Sequence, residues 1–177
     1  QKRGKPRKEM HQEIELAKHK FDDAQKLAAQ NIITSIYAKS ADMDTMVSEL
    51  FHQFNSEEPS EDIVVLLGKE STPEKKVKMA VRILALAKIP ARIVYGIELK
   101  EQRGLKQLRP WLEVYSNKEW KAYLPKNGLP EIPENYFVWY KGSYPFVKAK
   151  GVSKLRYTIS VSLNQEQAIT KAIDRGK

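Results

Sequence analysis

Residues 73–99, PEKKVKMAVRILALAKIPARIVYGIEL, and residues 108–124, LRPWLEVYSNKEWKAYL, decide the fold. Val77, Ala80, Val81, Leu84 and Ala87 fall on one stripe at helical spacing, so the first stretch opens as an amphipathic helix. Its start is well marked. Ser71 or Thr72 can cap it, Pro73 suits the first turn because its missing N–H is harmless there, and Glu74 favours the positive end of the helix dipole. The helix must stop at Lys88, two residues before Pro90. Beyond it Ile93, Tyr95, Ile97 and Leu99 alternate on one face of a strand. The charged loop KEQRG then leads into LRPWLEVYS, a turn at Asn117 and Lys118, and EWKAYLP, two further antiparallel strands. Pro110 cannot donate to a ladder, so its strand needs an edge or a bulge there.

A helix running into Lys88-Ile89-Pro90-Ala91-Arg92, then a strand, then Trp111-Leu112-Glu113-Val114-Tyr115 resembles the transglutaminase-like, papain-related core. In that family the helix begins with a nucleophilic Cys and ends in a Gly-Ile-Pro-Ala-Arg-type turn. The following strands carry His in His-Ala-Trp-x-Glu-Val and Asp in Trp-x-x-x-Asp-Pro. In register with those motifs, the Cys position falls at or beside Pro73, the His position on Arg109 and the Asp position on Leu124. The resemblance covers roughly the C-terminal two thirds of the chain. It is to the inactive transglutaminase-like domain that bacteria fuse to seven transmembrane helices, a membrane protein often encoded beside an ATP-grasp peptide ligase and a retropepsin-like protease. The resemblance therefore implies a pseudoenzyme on the periplasmic side of the inner membrane, its spanning helices lying outside this segment.

Working outward, residues 1–8, QKRGKPRK, hold five basic residues and no apolar side chain, which predicts a disordered basic arm. Residues 9–60 are expected to form a helical N-terminal portion, and residues 61–177 the transglutaminase-like domain, in one compact unit with the helices. Met10, Ile14, Ala17, Phe21, Ala24, Ala28, Ile32 and Ile36 make a seam that predicts one long helix, packed on its own domain or paired with a second chain. The small alanines and short run favour the first. Met43, Met46, Leu50, Phe51 and Phe54 predict a second helix capped within Ser40-Ala41-Asp42. The polar NSEEPSED is a loop, and IVVLLG is a short buried element stopped by Gly68. After the loop PKNGLPEIPEN come a hairpin of YFVWYKG and YPFVKA, a strand LRYTISVSL, and a terminal helix from Gln165 to Asp174. The fold class is thus α+β, an antiparallel sheet with a helical N-terminal portion.

No apolar run approaches the roughly 20 residues that span a bilayer, and no signal peptide is evident. The sequence begins at Gln1, as expected of a segment of a longer protein. Cysteine is absent, which removes disulfides, thiolate metal sites and Cys nucleophiles together. The net charge of +9 is uneven: residues 100–177 carry 15 Lys/Arg against 7 Asp/Glu, while the rest is nearly balanced. Such a basic end suits an acidic partner or a merely solvated surface.

Replacement chemistry finds little support. Ser71 and Thr72 are hydroxyls near the helix start, but His11, His19 and His52 all precede the core, and Lys75 and Lys76 come with no pattern that positions a base. His11, Glu15 and His19 share a helix face, yet an i, i+8 pair lies roughly 12 Å apart along the axis, too far to share one ion. No cofactor is implied. Glu98 and Glu113 are structural or surface groups before catalytic ones, Glu113 matching the scaffold Glu of the family motif. The late aromatics interleave with Lys and Arg, as in a single-strand nucleic-acid platform, but sheets use aromatics equally as core, so nucleic acid is a distant alternative.

The reading that results is a non-enzymatic ligand-binding or sensing module, with a structural assembly domain as the alternative. Its cleft would lie between the helix start and the strands bearing Arg109 and Trp120. Arg109 beside Trp111 could hold the carboxylate of an acidic peptide or amino-acid-like ligand, with Trp120, Tyr95 and Thr72 around it.

Overall fold

The computed structural model describes residues 20–98, 108–131, 136–142 and 144–145. Four helices, α1 (Asp23–Lys39), α2 (Met43–Phe54), α3 (Glu61–Leu67) and α4 (Pro73–Leu86), precede five strands, β1 (Ala91–Glu98), β2 (Leu108–Ser116), β3 (Glu119–Tyr123), β4 (Tyr136–Lys141) and β5 (Tyr144–Pro145). The strands form one antiparallel sheet in the order β3-β2-β1-β4-β5. Helices then sheet is the α+β architecture expected.

Each helix begins where a side chain takes over an orphan backbone N–H. Asp22 accepts from Gln25 N at 2.7 Å, Asp42 and Thr45 form a reciprocal capping box, Ser60 accepts from Ile63 N, and Thr72 from Lys75 N at 3.2 Å. The Asp22 cap corrects the expectation of one unbroken helix from Met10 to Ile36. Phe21 and Asp22 are non-helical, and α1 starts at Asp23 because the Asp22 carboxylate offers the backbone a better partner than another turn would. Met10, Ile14 and Ala17 lie outside the described residues, as do Leu99, the strand LRYTISVSL and the terminal helix.

The seam from Ala28 through Ile32 to Ile36 is fully buried, together with Leu50, Phe51, Leu67, Val77, Ile83 and Leu84. That stretch of α1 packs on its own domain. The same core reaches one face of the sheet through Ala91, Leu112, Val114 and Tyr123. A loop after β3 fastens sheet to helices. Asn55 at the end of α2 donates to the carbonyls of Pro125 and Lys126, and Gly128 sits so close to α2 that a Cβ would meet Val47 O at 2.8 Å.

One turn and one ladder end shape the sheet around β2. Asn117 and Lys118 both have positive φ, the two-residue hairpin that matches strand twist. Ladder β2–β3 ends at Leu112 and Tyr123, so Pro110 pairs only with Tyr95 of β1 and its other side has no β3 partner. The strand edge that Pro110 demands is met there.

Candidate ligand-binding site

Register assigns the side chains of the sheet to its two faces, because direct cross-strand partners point the same way. Ile93 opposite Leu112, Ala91 opposite Val114 and Leu112 opposite Tyr123 face the helices. Arg92 opposite Glu113, Val94 opposite Trp111, Gly96 opposite Arg109 and Val138, and Tyr115 opposite Trp120 belong to the outer face.

On that outer face Arg92 donates from Nε and Nη2 to Glu113 Oε2, at 2.8 and 2.7 Å. Its guanidinium carbon lies 3.8 Å above the centroid of Trp120, which in turn tilts against Tyr115 at 5.4 Å. Arg92 comes from Ile-Pro-Ala-Arg and Glu113 from Trp-x-Glu-Val, so two motifs separated in sequence are two halves of one ion pair. At 19% and 11% side-chain exposure the pair is largely desolvated, and each charge depends on the other.

Beside this cluster is a cavity of about 490 Å³ lined by Trp111, Glu113, Glu119, Trp120, Tyr136 and Glu131, with Lys121, Ala122, Pro130 and Val138 completing its wall. Trp111 is only 3% exposed and meets Tyr136 edge to face at 6.0 Å. Its indole Nε1 is buried with no hydrogen-bond partner. Buried indole N–H groups ordinarily find an acceptor, so this donor is an exception within the aromatic wall. A second hollow of about 400 Å³ between α1, α2 and α3 differs, because its polar groups satisfy one another. There Lys39 pairs with Glu49, Gln53 bridges Ser35 and Glu49, and Asn31 bonds Asp62.

Of the residues singled out in the sequence, Trp111 and Trp120 both line the outer cavity, whereas Arg109 is exposed on the same face and is not part of its wall. Tyr95 and Thr72 lie on the helix side. Tyr95 donates its hydroxyl to Glu74 at 2.7 Å, one residue into the turn that Pro73 opens, and the Thr72 hydroxyl is occupied as the cap. Lys78 also donates to Glu74, at 2.6 Å, and first this bond, then that of Tyr95, hold the carboxyl below its ordinary range. The helix start thus presents Pro73 and a carboxylate already tied down. Leu124, at the end of β3, is half-buried, its carbonyl accepting from Gly128 N. The residues expected around one cleft are divided by the sheet itself. Sequence reasoning missed Arg92, Glu119, Glu131, Tyr136 and Val138; only Arg92 had a signal, its place in the motif opposite the scaffold Glu113.

Residues 1–70 match the family model of an inactive transglutaminase fused to 7 transmembrane helices. No curated protein matches the chain. The family match falls on the helical portion, while the motifs that carry the sequence resemblance lie in residues 73–124, so the two rest on different residues. The family is described as inactive. No described helix is long and apolar enough to cross a membrane, and among the described residues no group of three acidic, His or Cys side chains could hold a metal ion. His11, Glu15 and His19 lie outside the described residues.

Proposed function

We propose that this domain is a non-catalytic binding or sensing module of a membrane protein, standing on the periplasmic side of the bacterial inner membrane and taking a peptide-like ligand in the outer cavity of its sheet. One observation carries the reading: Trp111, almost wholly buried in the wall of a 490 Å³ aromatic cavity, holds an indole N–H with no acceptor. A site of this size and composition is what a small organic ligand or a peptide side chain requires. A peptide also fits the company that the sequence resemblance implies, a peptide ligase and a protease encoded nearby, with which the module would share a process.

The test follows the three indole N–H resonances in a 15N-labelled protein titrated with short capped peptides. Binding in the cavity moves the Trp111 and Trp120 signals and is weakened at least tenfold by Trp120→Ala. The acidic ligand expected at Arg109 is tested beside it: a glutamyl peptide whose affinity falls in Arg109→Ala would place the ligand at that exposed guanidinium instead. Absence of any indole shift across the panel would overturn the module reading.

A second reading, an assembly domain, draws on Leu27 and Tyr37, which are 61% and 52% exposed on α1. It predicts a concentration-dependent oligomer by light scattering that Leu27→Glu with Tyr37→Glu disperses.

A further inference from the structure

A small cavity of about 110 Å³ lies in the helical half, where the ends of α2 and α3 meet the segment leading into α4. Phe54, Ile63 and Leu67, all buried, give it an apolar side. Its charged wall is Lys69 and Lys76, and no carboxylate lines it. Glu57, Glu58 and Glu70, the acids nearest in sequence, are exposed, and neither lysine forms an ion pair among the described residues.

Lys76 is half-buried, and burial holds its ammonium below the ordinary range. A desolvated charge ordinarily finds an opposite one. Lys76 instead donates to a neutral oxygen, Asn55 Oδ1, at 2.6 Å, which leaves two of its three N–H bonds for another acceptor. Asn55 is fixed in that orientation because its Nδ2 donates to the carbonyls of Pro125 and Lys126. The neighbouring lysines are spent elsewhere. Lys75 donates to Leu67 O at 2.5 Å, so the last carbonyl of α3 already has its cation, and Lys78 pairs with Glu74. A third donor stands in the same wall: the Ser71 hydroxyl, half-buried, makes no hydrogen bond among the described residues.

Two ammonium groups and a hydroxyl call for several acceptor oxygens and about two negative charges, which a phosphate carries near neutral pH and a lone carboxylate does not. The volume suits one such ion and excludes a peptide. The geometry points to a phosphate site independent of the outer cavity, in which Lys76, Lys69 and Ser71 hold a phosphate group, free or as a monoester.

The experiment titrates the 15N-labelled 177-residue chain with inorganic phosphate and with acetate at constant ionic strength and pH 7.5, following the Gly68, Lys69 and Ser71 amide signals. Phosphate should bind at least tenfold tighter than acetate. Lys76→Gln, which keeps an N–H for Asn55, should weaken it at least tenfold, and Lys69→Gln with Ser71→Ala at least fivefold; the second variant leaves the Thr72 cap and the Asn55 tie intact. Vesicles of phosphatidylcholine with phosphatidate, set against soluble glycerol phosphate, identify the source: capture by the vesicles that Lys76→Gln abolishes assigns a lipid headgroup, and binding of the soluble ester alone assigns a free monoester. Acetate binding as tightly as phosphate overturns the proposal, as does phosphate affinity unchanged in both variants. No amide shift at millimolar phosphate overturns it too, and leaves Lys76 as a tether for Asn55.

Discussion

Trp111 lies across Gly96 of the neighbouring strand so closely that a Cβ on Gly96 would stand 2.6 Å from its Cη2 and Cζ3 atoms. The missing side chain of one strand makes room for the ring that walls the cavity from the next. Gly96→Ala should therefore destabilise the protein by about 1–3 kcal/mol, the usual cost of overpacking, since a buried indole cannot swing aside like a flexible chain. Urea unfolding checks it. In a Trp111→Phe background, where the benzo edge is gone, the alanine should cost about 1 kcal/mol less; an equal cost in both backgrounds would show that the Phe137 carbonyl, 3.2 Å away, is the true obstacle.

The Arg92–Glu113 pair is the second point of leverage. Glu113→Gln leaves a largely buried guanidinium without its counter-charge and should cost about 2–3 kcal/mol, somewhat below the value for a fully buried pair because water still reaches both side chains. Arg92→Lys keeps the charge but loses the planar stack on Trp120, and should recover only part of the stability. A Glu113→Gln midpoint within experimental error of the wild type would contradict the desolvated pair.

Much of this frame was legible in the sequence. The Thr72 cap, the Pro73 start, the strands from Ala91 and Leu108, and the Asn117 turn all rest on local chemistry that needs no tertiary context. The site was harder. Trp111 and Trp120 could be picked out as large aromatics at strand positions, but Arg109 and Tyr95 could not be placed relative to them, because a cleft requires knowing which face of a sheet looks at which helix. Register settles that: Tyr95 opposite Pro110 looks toward Glu74, and Arg109, one residue on, belongs to the other side. Glu131 and Tyr136 come to the cavity from a loop and from β4, which pairs with β1 across the sheet, a return that no local pattern announces.

Tyr123 and Asp44 couple the sheet to α2 and give stability a pH signature. Asp44 accepts from Lys121 and, at 2.7 Å, from the Tyr123 hydroxyl; first the lysine, then the tyrosine, hold its carboxyl below the ordinary range. A depressed carboxyl contributes stability that is present above its unfolded pKa of about 3.9 and is lost as pH falls through the folded value. Burial foremost, and then Asp44, push the Tyr123 phenol above its ordinary range, so its contribution is present below about pH 10 and is lost as pH rises beyond it. Tyr123→Phe should lower stability by about 1–2 kcal/mol at pH 7, and the gap from wild type should narrow at pH 11. Asp44→Asn should flatten the acid limb between about pH 4 and pH 2. Urea midpoints across pH measure both, and a gap that widens at pH 11 would refute the assignment.

Lys88 shows what the family-type turn asks of its first residue. Helix α4 is capped by Ala87, Lys88 takes φ of 60°, Lys88 N donates to Ala85 O, and Ile89 N donates to Leu84 O. That pair of bonds is the Schellman closure, and the left-handed residue in it is ordinarily glycine because any Cβ crowds the following carbonyl. The resemblance implies Gly at this position, before Ile-Pro-Ala-Arg; the chain places Lys there and retains the geometry at a cost of about 1–2 kcal/mol. Lys88→Gly should relieve that strain, and after subtracting the entropy that glycine gains in the unfolded chain, about 0.5–1 kcal/mol, should still raise stability by up to about 1 kcal/mol. The side chain is exposed, so no packing is lost. Lys88→Ala keeps the Cβ and should leave the midpoint almost unchanged, which separates relief of backbone strain from removal of a positive charge. A gain in Lys88→Ala equal to that in Lys88→Gly would assign the effect to charge, and with it the claim of a strained turn would fall.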